Sequence, residues 1–411
     1  MKKIILLFVI CLVLLPCVYG AEEDFSGKEK KFFPVKDRIF EIGFGAGGNV
    51  SNNLLSIGEI FSETLLLDLD KLSQGVFADF GTFVPFFINL NFGTWGIGLY
   101  TGVDVTGGLG LNGNMLTFKE ASNEKSDFNA AVFAFAGIDS FFHIQHFKVK
   151  FKPAVFYPMA YIVQDNFSYT FNSPGGMTQM IIGYDFLFYT AAPMDGFDVS
   201  KMLKLSNMTT SPGFDFSLGV EYPISEVTGL NKRAKVLDFD IGMDLVNIPI
   251  VASVMNDYNR MFGGLEIIQG EDDELKDLLD KFNNFNSNTQ TGSKKMSVDR
   301  AFKMFFWADW RPLNGNPLFA VTPVIGFALN DLYNQPFSME LGVKARVNIQ
   351  NMFIATAGIN YEDRLYKNSL GLTFNCRAMQ LDIGAELQSA DFIGSWTAKG
   401  VGANVGIRFG W

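Results

Sequence analysis

Residues 337–349 read FSMELGVKARVNI, and the pattern in this stretch decides the fold. Its odd-numbered residues are nearly all large and apolar, whereas its even-numbered residues include Glu340, Lys344 and Arg346. Successive side chains of a strand point to opposite faces, so one face of this segment is apolar and the other is charged. Charges that stay on one face over about ten residues are typical of a strand that crosses an outer membrane.

The same alternation recurs along most of the chain. Further segments that show it are RIFEIGFGAGG (38–48), WGIGLYTGVDV (95–105), FKVKFKPAVFY (147–157), GFDFSLGVEY (213–222), LDFDIGMDL (237–245) and MQLDIGAELQ (379–388). A soluble β-sandwich also alternates, but a long series of such segments favours a membrane barrel. We therefore expect an all-β protein, a transmembrane antiparallel β-barrel of about 14 strands within a range of about 12 to 16.

The composition agrees with this fold class. The 411 residues include 43 Phe and 41 Gly, an unusual pairing for a soluble enzyme. Phe supplies apolar area towards lipid, and Gly suits the inner wall or bends. After the N-terminus no run of about 18 apolar residues occurs, which argues against transmembrane helices. The formal charge of −10 argues against nucleic acid as a partner.

The N-terminus has the features of a secretory signal peptide over residues 1–20. Lys2 and Lys3 precede an apolar stretch, and small residues lie before Ala21. Residues 21–36 are highly charged and are predicted to be a flexible segment, and 37–411 form the barrel. Export through a cleaved signal peptide places the protein in the bacterial outer membrane. Cleavage leaves Cys376 as the one cysteine, so the mature chain has no intramolecular disulfide.

Two segments break the alternation. Residues 51–74 have helical spacing and follow the first strand, and they are interpreted either as a plug inside the barrel or as a helix on its rim. Residues 253–297 are predicted to be one long loop. It contains a solvated helix (EDDELKDLLDKF) and then a flexible polar tract (NNFNSNTQTGS). Long loops of such barrels usually face the outside of the cell.

The chain ends with ANVGIRFGW, in which alternate residues are apolar and the last one is aromatic. This ending resembles the C-terminal assembly signal of outer-membrane β-barrel proteins. The resemblance implies that the barrel-assembly machinery recognises the final strand. The residues that carry it are Val405, Ile407, Phe409 and Trp411.

Charged residues opposite the apolar faces are predicted to line the lumen, because a charge towards lipid is costly near the midplane. They are Lys148, Lys150, Lys152, Asp215, Glu221, Asp238, Asp240, Asp244, Glu340, Lys344, Arg346, Asp382, Glu386 and Arg408. Two interpretations are open. Basic and acidic walls can create a transverse field that acts on hydrated solutes, or the charges pair with one another inside a narrow or plugged lumen.

No motif indicates catalysis or a cofactor. The two histidines, His143 and His146, lie between two strands and are assigned to a polar hairpin turn in preference to a metal site. No serine motif marks a nucleophile for either histidine, so an enzyme is not expected. Aromatic residues near strand ends, including Trp95, Trp307 and Trp310, are predicted to lie in the interfacial girdles.

In length and architecture the chain resembles the FadL-type transporters of hydrophobic substrates, which have 14 strands and an N-terminal plug. Segment 51–74 corresponds to the plug, but in that family the plug precedes the first strand. The family's Asn-Pro-Ala motif is also missing from this sequence. The Phe-rich texture, with FKVKFKP, resembles outer-membrane barrels of spirochaetes.

The leading functional hypothesis is a porin or transporter that passes small solutes through a charged lumen. The alternative is a surface-exposed adhesin in which the barrel is an anchor and loop 253–297 binds a partner. Expected partners are outer-membrane lipid, the assembly machinery, and small solutes or extracellular ligands. Neither hypothesis requires a metal or a cofactor.

Overall fold

The computed structural model describes most of the chain after residue 37. The described residues are 38–53, 75–117, 121–172, 178–191, 210–230, 234, 236–269, 286–313, 318–329, 337–362, 365–376, 378–389, 391–397 and 399–411. The predicted signal peptide and segment 21–36 lie outside them, as does most of the predicted helix 51–74. Ser51 and Asn52, which that helix included, belong to the first strand.

The described residues contain 18 strands and a few short helices. The strands are β1 (Phe40–Asn52), β2 (Val76–Asn91), β3 (Trp95–Leu111), β4 (Ala121–Lys125), β5 (Asp127–Ile144), β6 (Phe147–Asn172), β7 (Thr178–Thr190), β8 (Gly213–Tyr222), β9 (Phe239–Val251), β10 (Ser253–Gln269), β11 (Asn286–Val298), β12 (Phe302–Trp310), β13 (Phe319–Leu329), β14 (Phe337–Ile349), β15 (Phe353–Glu362), β16 (Leu365–Asn375), β17 (Met379–Ser389) and β18 (Gly400–Gly410). The α-helices are α1 (Gly113–Thr117) and α2 (Ile224–Thr228), and a 3-10 turn covers Gly394–Trp396.

Fourteen of these strands form a closed antiparallel barrel. Their order around the wall is β1, β2, β3, β5, β6, β8, β9 and then β12 through β18. The ring closes where β18 pairs with β1, for example Ile42 with Phe409 and Ala46 with Val405. The predicted strand number and the antiparallel closed topology are confirmed.

The other four strands raise the wall on one side of the barrel. The first half of β6 pairs with β8, from Lys148 to Phe156, whereas its second half pairs with β7, from Ala160 to Asn172. Strand β10 pairs with β7 and β11 with β10, while β4 pairs with the far end of β6. We call β4, β7, β10, β11 and the second half of β6 the upper wall. With 26 residues, β6 is more than twice as long as the roughly 9–11 residues that a membrane strand needs, so the upper wall extends past the lipid belt.

The prediction of a long loop with a flexible tract over residues 253–297 is corrected here. Residues 253–269 and 286–298 are strands β10 and β11, paired through contacts such as Asn259 with Thr291. The predicted helix, residues 271–282, lies outside the described residues. The described part of the polar tract, residues 286–293, belongs to a strand because its backbone groups pair with β10, and such pairing leaves no signal in side-chain hydropathy.

The two faces of the wall differ in the way the alternation predicts. On β14 the side chains of Phe337 and Val343 are exposed on the outside, whereas Glu340 on the opposite face is only 3% exposed. Leu370 on β16 is 67% exposed and lies on the outer face as well. A soluble barrel would bury these residues, so the apolar outer belt is that of a transmembrane barrel. Among the described helices, none combines the length and the apolar character needed to cross a bilayer.

Candidate functional site: the interior of the barrel

The charged residues predicted to line the lumen lie on or beside the wall strands, on the face opposite the exposed apolar side chains. Half of them are buried, namely Asp215, Glu221, Asp238, Asp240, Asp244, Glu340 and Arg346. The other half are partly buried, namely Lys148, Lys150, Lys152, Lys344, Asp382, Glu386 and Arg408. Burial of so many charges requires partners, because an isolated buried charge is strongly disfavoured.

One group of partners, the lower cluster, lies where β9 begins and β12 ends. Arg311 contacts Asp238 (Nε–Oδ2 3.1 Å), Asp240 (Nη1–Oδ2 2.9 Å) and Asp309 (Nη1–Oδ2 3.3 Å). Arg346 on β14 approaches Asp309 at 3.5 Å and thereby reaches across β13. Burial alone would lower the pKa of Arg311, but hydrogen bonds to Asp240 and Asp238 raise it above its usual value. The guanidinium therefore stays charged, and the cluster is an ion-paired network.

A second group, the upper cluster, joins four strands near their other ends. Lys303 on β12 contacts Glu340 on β14 at 3.0 Å and Glu362 on β15 at 3.1 Å. Lys367 on β16 contacts the second oxygen of Glu362 at 3.3 Å. The two lysines and two glutamates neutralise one another across the inner face.

Sequence reasoning missed five members of these clusters, namely Lys303, Asp309, Arg311, Glu362 and Lys367. Asp309 and Lys303 lie in FKMFFWADW, where alternation with the flanking Phe and Trp was a usable signal. Arg311 and Glu362 lie at strand ends, where alternation fades.

The predicted basic and acidic ladders also pair. Lys152 on β6 forms an ion pair with Asp139 on β5 (Nζ–Oδ2 2.9 Å), and Arg408 on β18 lies 3.6 Å from Asp382 on β17. Lys148 lies opposite Glu221 in the β6–β8 register. Opposite charges at such distances cancel much of the transverse field that unpaired ladders would produce. The pairing corresponds to the second of the two interpretations drawn from the sequence.

A further part of the interior is aromatic. Phe133, Phe135 and Phe156 are buried on the inner faces of β5 and β6, and Phe83 and Tyr100 pack against them. Residues from the upper wall and its connections join the same cluster, namely Tyr189, Met255 and Val298. The sequence interpretation placed Phe towards lipid, so this inward aromatic cluster is a correction. Alternation shows which residues of a strand share a face. It does not show which side chains of different strands pack together on that face.

Glycines on neighbouring strands make room for these rings. A Cβ atom at Gly102 would lie 2.6 Å from Cζ of Phe135 and 2.8 Å from the carbonyl oxygen of Val84. The ring of Phe156 lies equally close over Gly213, and that of Phe87 over Gly43. The high Phe and Gly contents thus have a partly shared cause, because a ring on one strand packs against a glycine on the next strand.

Trp307 packs against a glycine in the same way, and the prediction that it lies in an interfacial girdle is wrong. Its indole lies over Gly242, and its Nε1–H donates a hydrogen bond to Asp244 at 2.7 Å. Trp307 is therefore an inner-face residue, because the indole N–H finds a carboxylate there. Trp95 and Trp310, by contrast, are exposed on the outer face.

One arginine connects the aromatic cluster to the charges. Arg300, between β11 and β12, makes two hydrogen bonds to Asp215 on β8, Nε–Oδ2 at 2.8 Å and Nη2–Oδ1 at 2.7 Å. Its guanidinium carbon lies 4.8 Å from the ring centre of Phe135 and 5.5 Å from that of Phe156. Asp215 was predicted from the sequence, whereas Arg300 precedes a strand and carried no pattern that pointed to it.

The final strand lies where the sequence predicts it. Val405, Phe409 and Trp411 are exposed on the outer face, and Ile407 shares their side of the strand. The carbonyl of Trp411 accepts a hydrogen bond from the Ile39 amide at 2.8 Å, and its ring lies 4.8 Å from that of Phe40. The strand therefore closes the barrel, and its recognition by the assembly machinery remains a prediction.

The histidine pair occupies the β5–β6 hairpin. Gln145, between the histidines, has a positive φ of 56°, and the backbone amide of His143 donates to the Thr94 carbonyl at 2.8 Å. The predicted hairpin turn is confirmed. Within the described residues no group of three or more potential ligands is arranged for a metal ion.

Comparisons with known proteins give a fold without a family. No family model and no curated protein sequence matches the chain. Among solved structures, the toluene transporter TodX of P. putida aligns over 90% of this chain and 89% of its own, with a TM-score of 0.50 and 8% identity. A TodX deltaS2S3 mutant, described as a monoaromatic hydrocarbon channel, aligns over 90% of both chains with the same TM-score and identity. The chain thus shares its all-β barrel fold with outer-membrane transport proteins.

Proposed function

We propose that this protein is a transporter of the bacterial outer membrane that passes small solutes through the interior of its barrel. The observation that carries the proposal is the closed ring of fourteen strands with an apolar outer belt and a charged and aromatic interior. TodX, which shares the fold, is a toluene transporter, and this supports the proposal by analogy of architecture.

The interior favours solutes with an apolar surface over hydrated ions. Its charges form ion pairs, which weakens their attraction for a passing ion. The aromatic cluster around Phe133, Phe135 and Phe156 makes part of the interior apolar, which suits a small apolar molecule better than a hydrated ion. The signal peptide at residues 1–20 and the outer-membrane location are part of the same proposal.

The adhesin alternative is not favoured. It assigned binding to a long loop at 253–297, but residues 253–269 and 286–298 are strands of the upper wall. The TodX structures that align with a TM-score of 0.50 are those of a toluene transporter, described also as a monoaromatic hydrocarbon channel.

The proposal is tested with purified, folded barrels in two assays. Planar lipid bilayers should show discrete conductance steps on insertion, and liposomes that contain the protein should take up toluene faster than empty liposomes. A heat-modifiable, correctly folded barrel that is silent in both assays would contradict the proposal. Trp411→Ala should lower the yield of inserted barrels severalfold while leaving conductance per inserted molecule unchanged.

A further inference from the structure

The ion pair between Arg300 and Asp215 joins two parts of the wall that are not neighbours. Asp215 lies on β8, and Arg300 lies two residues before the start of β12, with β9 between these two strands in the ring. The backbone beside Arg300 is held to β9, because the Asn247 side-chain amide donates to the Ala301 carbonyl at 3.1 Å. The backbone next to Arg300 is thus fixed to β9, and the Arg300 side chain reaches past that strand to Asp215 on β8.

Beyond Asp215 the guanidinium reaches further strands through the aromatic rings. Phe135 on β5 and Phe156 on β6 both lie within cation–π distance of Arg300. Phe83 on β2 stacks on Phe135 with ring centres 5.8 Å apart, and Phe133 meets Phe156 edge to face at 6.1 Å. A chain of contacts thus runs from β2 to β12, which is half of the ring of fourteen wall strands.

The parts of this chain of contacts have little freedom to move apart. Gly102 and Gly213 let the rings of Phe135 and Phe156 lie against the wall, so the rings keep fixed positions. Asp215 is 2% exposed and binds the guanidinium through both oxygens, a strong and directional arrangement. Arg300 itself is buried, so releasing it would leave two charges without compensation.

We propose that Arg300 is a tie between wall strands that are not neighbours and that it limits access to the aromatic cluster. While it binds Asp215 and covers the rings of Phe135 and Phe156, solutes cannot reach those ring faces. Removing it uncovers the rings and widens the interior on this side. The importance of the tie for transport rests on the proposed function, but its effect on access can be measured separately.

Access is measured with a cysteine probe inside the cluster. Ala131 is 1% exposed and belongs to the aromatic cluster, so Ala131→Cys reports on this part of the interior. Cys376 is exposed and is replaced by Cys376→Ser to remove background labelling. The probe is a small, water-soluble methanethiosulfonate reagent added to folded barrels. We expect slow labelling with Arg300 present and at least tenfold faster labelling after Arg300→Ala.

A second arginine provides a matched control. Arg260 on β10 binds Asp185 (Nε–Oδ1 2.9 Å) and lies 4.7 Å from the ring centre of Phe262, so it has the same two kinds of contact, but in the upper wall. Arg260→Ala should leave the labelling rate of the probe unchanged. Equal acceleration by both substitutions would mean general loosening of the barrel and would overturn the proposal.

Conservative variants keep the test decisive when Arg300→Ala does not fold. Arg300→Lys retains the positive charge but loses the planar, two-bond contact with Asp215. Asp215→Asn retains the shape but weakens the pairing. Both should give labelling rates between those of the parent and of Arg300→Ala. If folded Arg300→Lys barrels are labelled no faster than the parent barrels, the proposed role of Arg300 is wrong.

Conductance measured on the same preparations separates the two proposals. If the parent conducts and no Arg300 variant changes either labelling or conductance, the tie is wrong and transport stands. If Arg300→Ala accelerates labelling but every barrel is silent both in conductance and in toluene uptake, the tie is supported and the transport function is wrong.

Discussion

The interior of this barrel has an aromatic side and an ionic side, whereas its outer surface is apolar around both. The aromatic side, formed by the inner faces of β2, β3, β5 and β6, is lined mainly by rings, several of which pack against glycines, and it also carries the Lys152–Asp139 ion pair. The ionic side, formed by β9, β12, β14, β15 and β16, is filled by ion pairs such as Lys303 with Glu340. Both sides present apolar residues to the outside. The comparison shows that alternation constrains the lipid face strongly and leaves the inner face free to be built in different ways.

The two sides depend on different contributions to stability. On the aromatic side the gain comes from apolar burial and close packing, and an added methyl group is unfavourable because the space is already filled. On the ionic side each charge depends on its partner, and losing one partner leaves another charge buried and uncompensated.

The largest expected effect is on the ionic side, for Asp309→Ala. Asp309 lies between Arg311 and Arg346 and also accepts a hydrogen bond from Thr322 at 2.9 Å. Its removal leaves two buried arginines short of a carboxylate, so we expect the free energy of unfolding to fall by about 3–5 kcal/mol. Urea unfolding in lipid vesicles measures this change. Asp309→Asn should cost less, because the amide still accepts hydrogen bonds, and equal losses for both would contradict the charge argument.

A smaller effect is expected on the aromatic side, for Gly102→Ala. The new methyl group would meet the Phe135 ring and the Val84 carbonyl at less than 3.0 Å, so we expect a loss of about 1–3 kcal/mol from overpacking. Gly45→Ala is the control, because the nearest atoms to its new Cβ, Cγ of Pro85 and the carbonyl oxygen of Val405, would both lie 3.4 Å away. If both substitutions destabilise the barrel equally in urea, the ring-over-glycine packing is not the cause.

The smallest effect is expected for a solvent-exposed ion pair, which serves as a reference for the buried ion pairs. Asp391 is 51% exposed and binds Lys399 at 2.8 Å in the β17–β18 connection. Exposed pairs contribute little, so Asp391→Asn should cost about 0.5 kcal/mol near neutral pH. A loss as large as that of Asp309→Ala would remove the distinction between buried and exposed pairs.

This reference pair also has a defined pH dependence. Partial burial alone would raise the pKa of Asp391, but hydrogen bonds from Lys399 and the Gly394 amide lower it below its ordinary value. Because the folded pKa is the lower one, the contribution is complete above the unfolded pKa and is lost as pH falls through the folded pKa. The difference between parent and Asp391→Asn should therefore vanish in strongly acidic urea titrations. A difference that grows on acidification would contradict the assignment.

Local features of the sequence predicted much of the fold. Alternation in segments such as 337–349 led to the barrel, to about 14 strands and to inward-facing Glu340 and Arg346. The terminal apolar strand predicted the closing edge at Phe409 and Trp411. The polar strand β11 was missed, because its residues 286–295 form no apolar face and are held by backbone pairing with β10.

The interior was predicted only in part. Sequence identified Asp215 and Asp240 as inward charges, but it did not find Arg300 or Arg311, which lie outside the regular alternation. It also placed Trp307 in the interfacial girdle, although the indole lies on the inner face and binds Asp244. The residues that meet in the interior belong to strands that are far apart in the sequence. The pattern within one strand holds no information about the distances between side chains of different strands.

The sequence by itself determined which face of the alternating wall strands meets lipid, because a period of two separates apolar from charged residues and lipid strongly disfavours charge. Only the tertiary structure decided which inward residues meet. Ring closure and strand register bring Arg300 to Asp215 and lay Phe135 across Gly102. Those contacts depend on the spacing of several strands around a closed wall, and no single segment encodes that spacing.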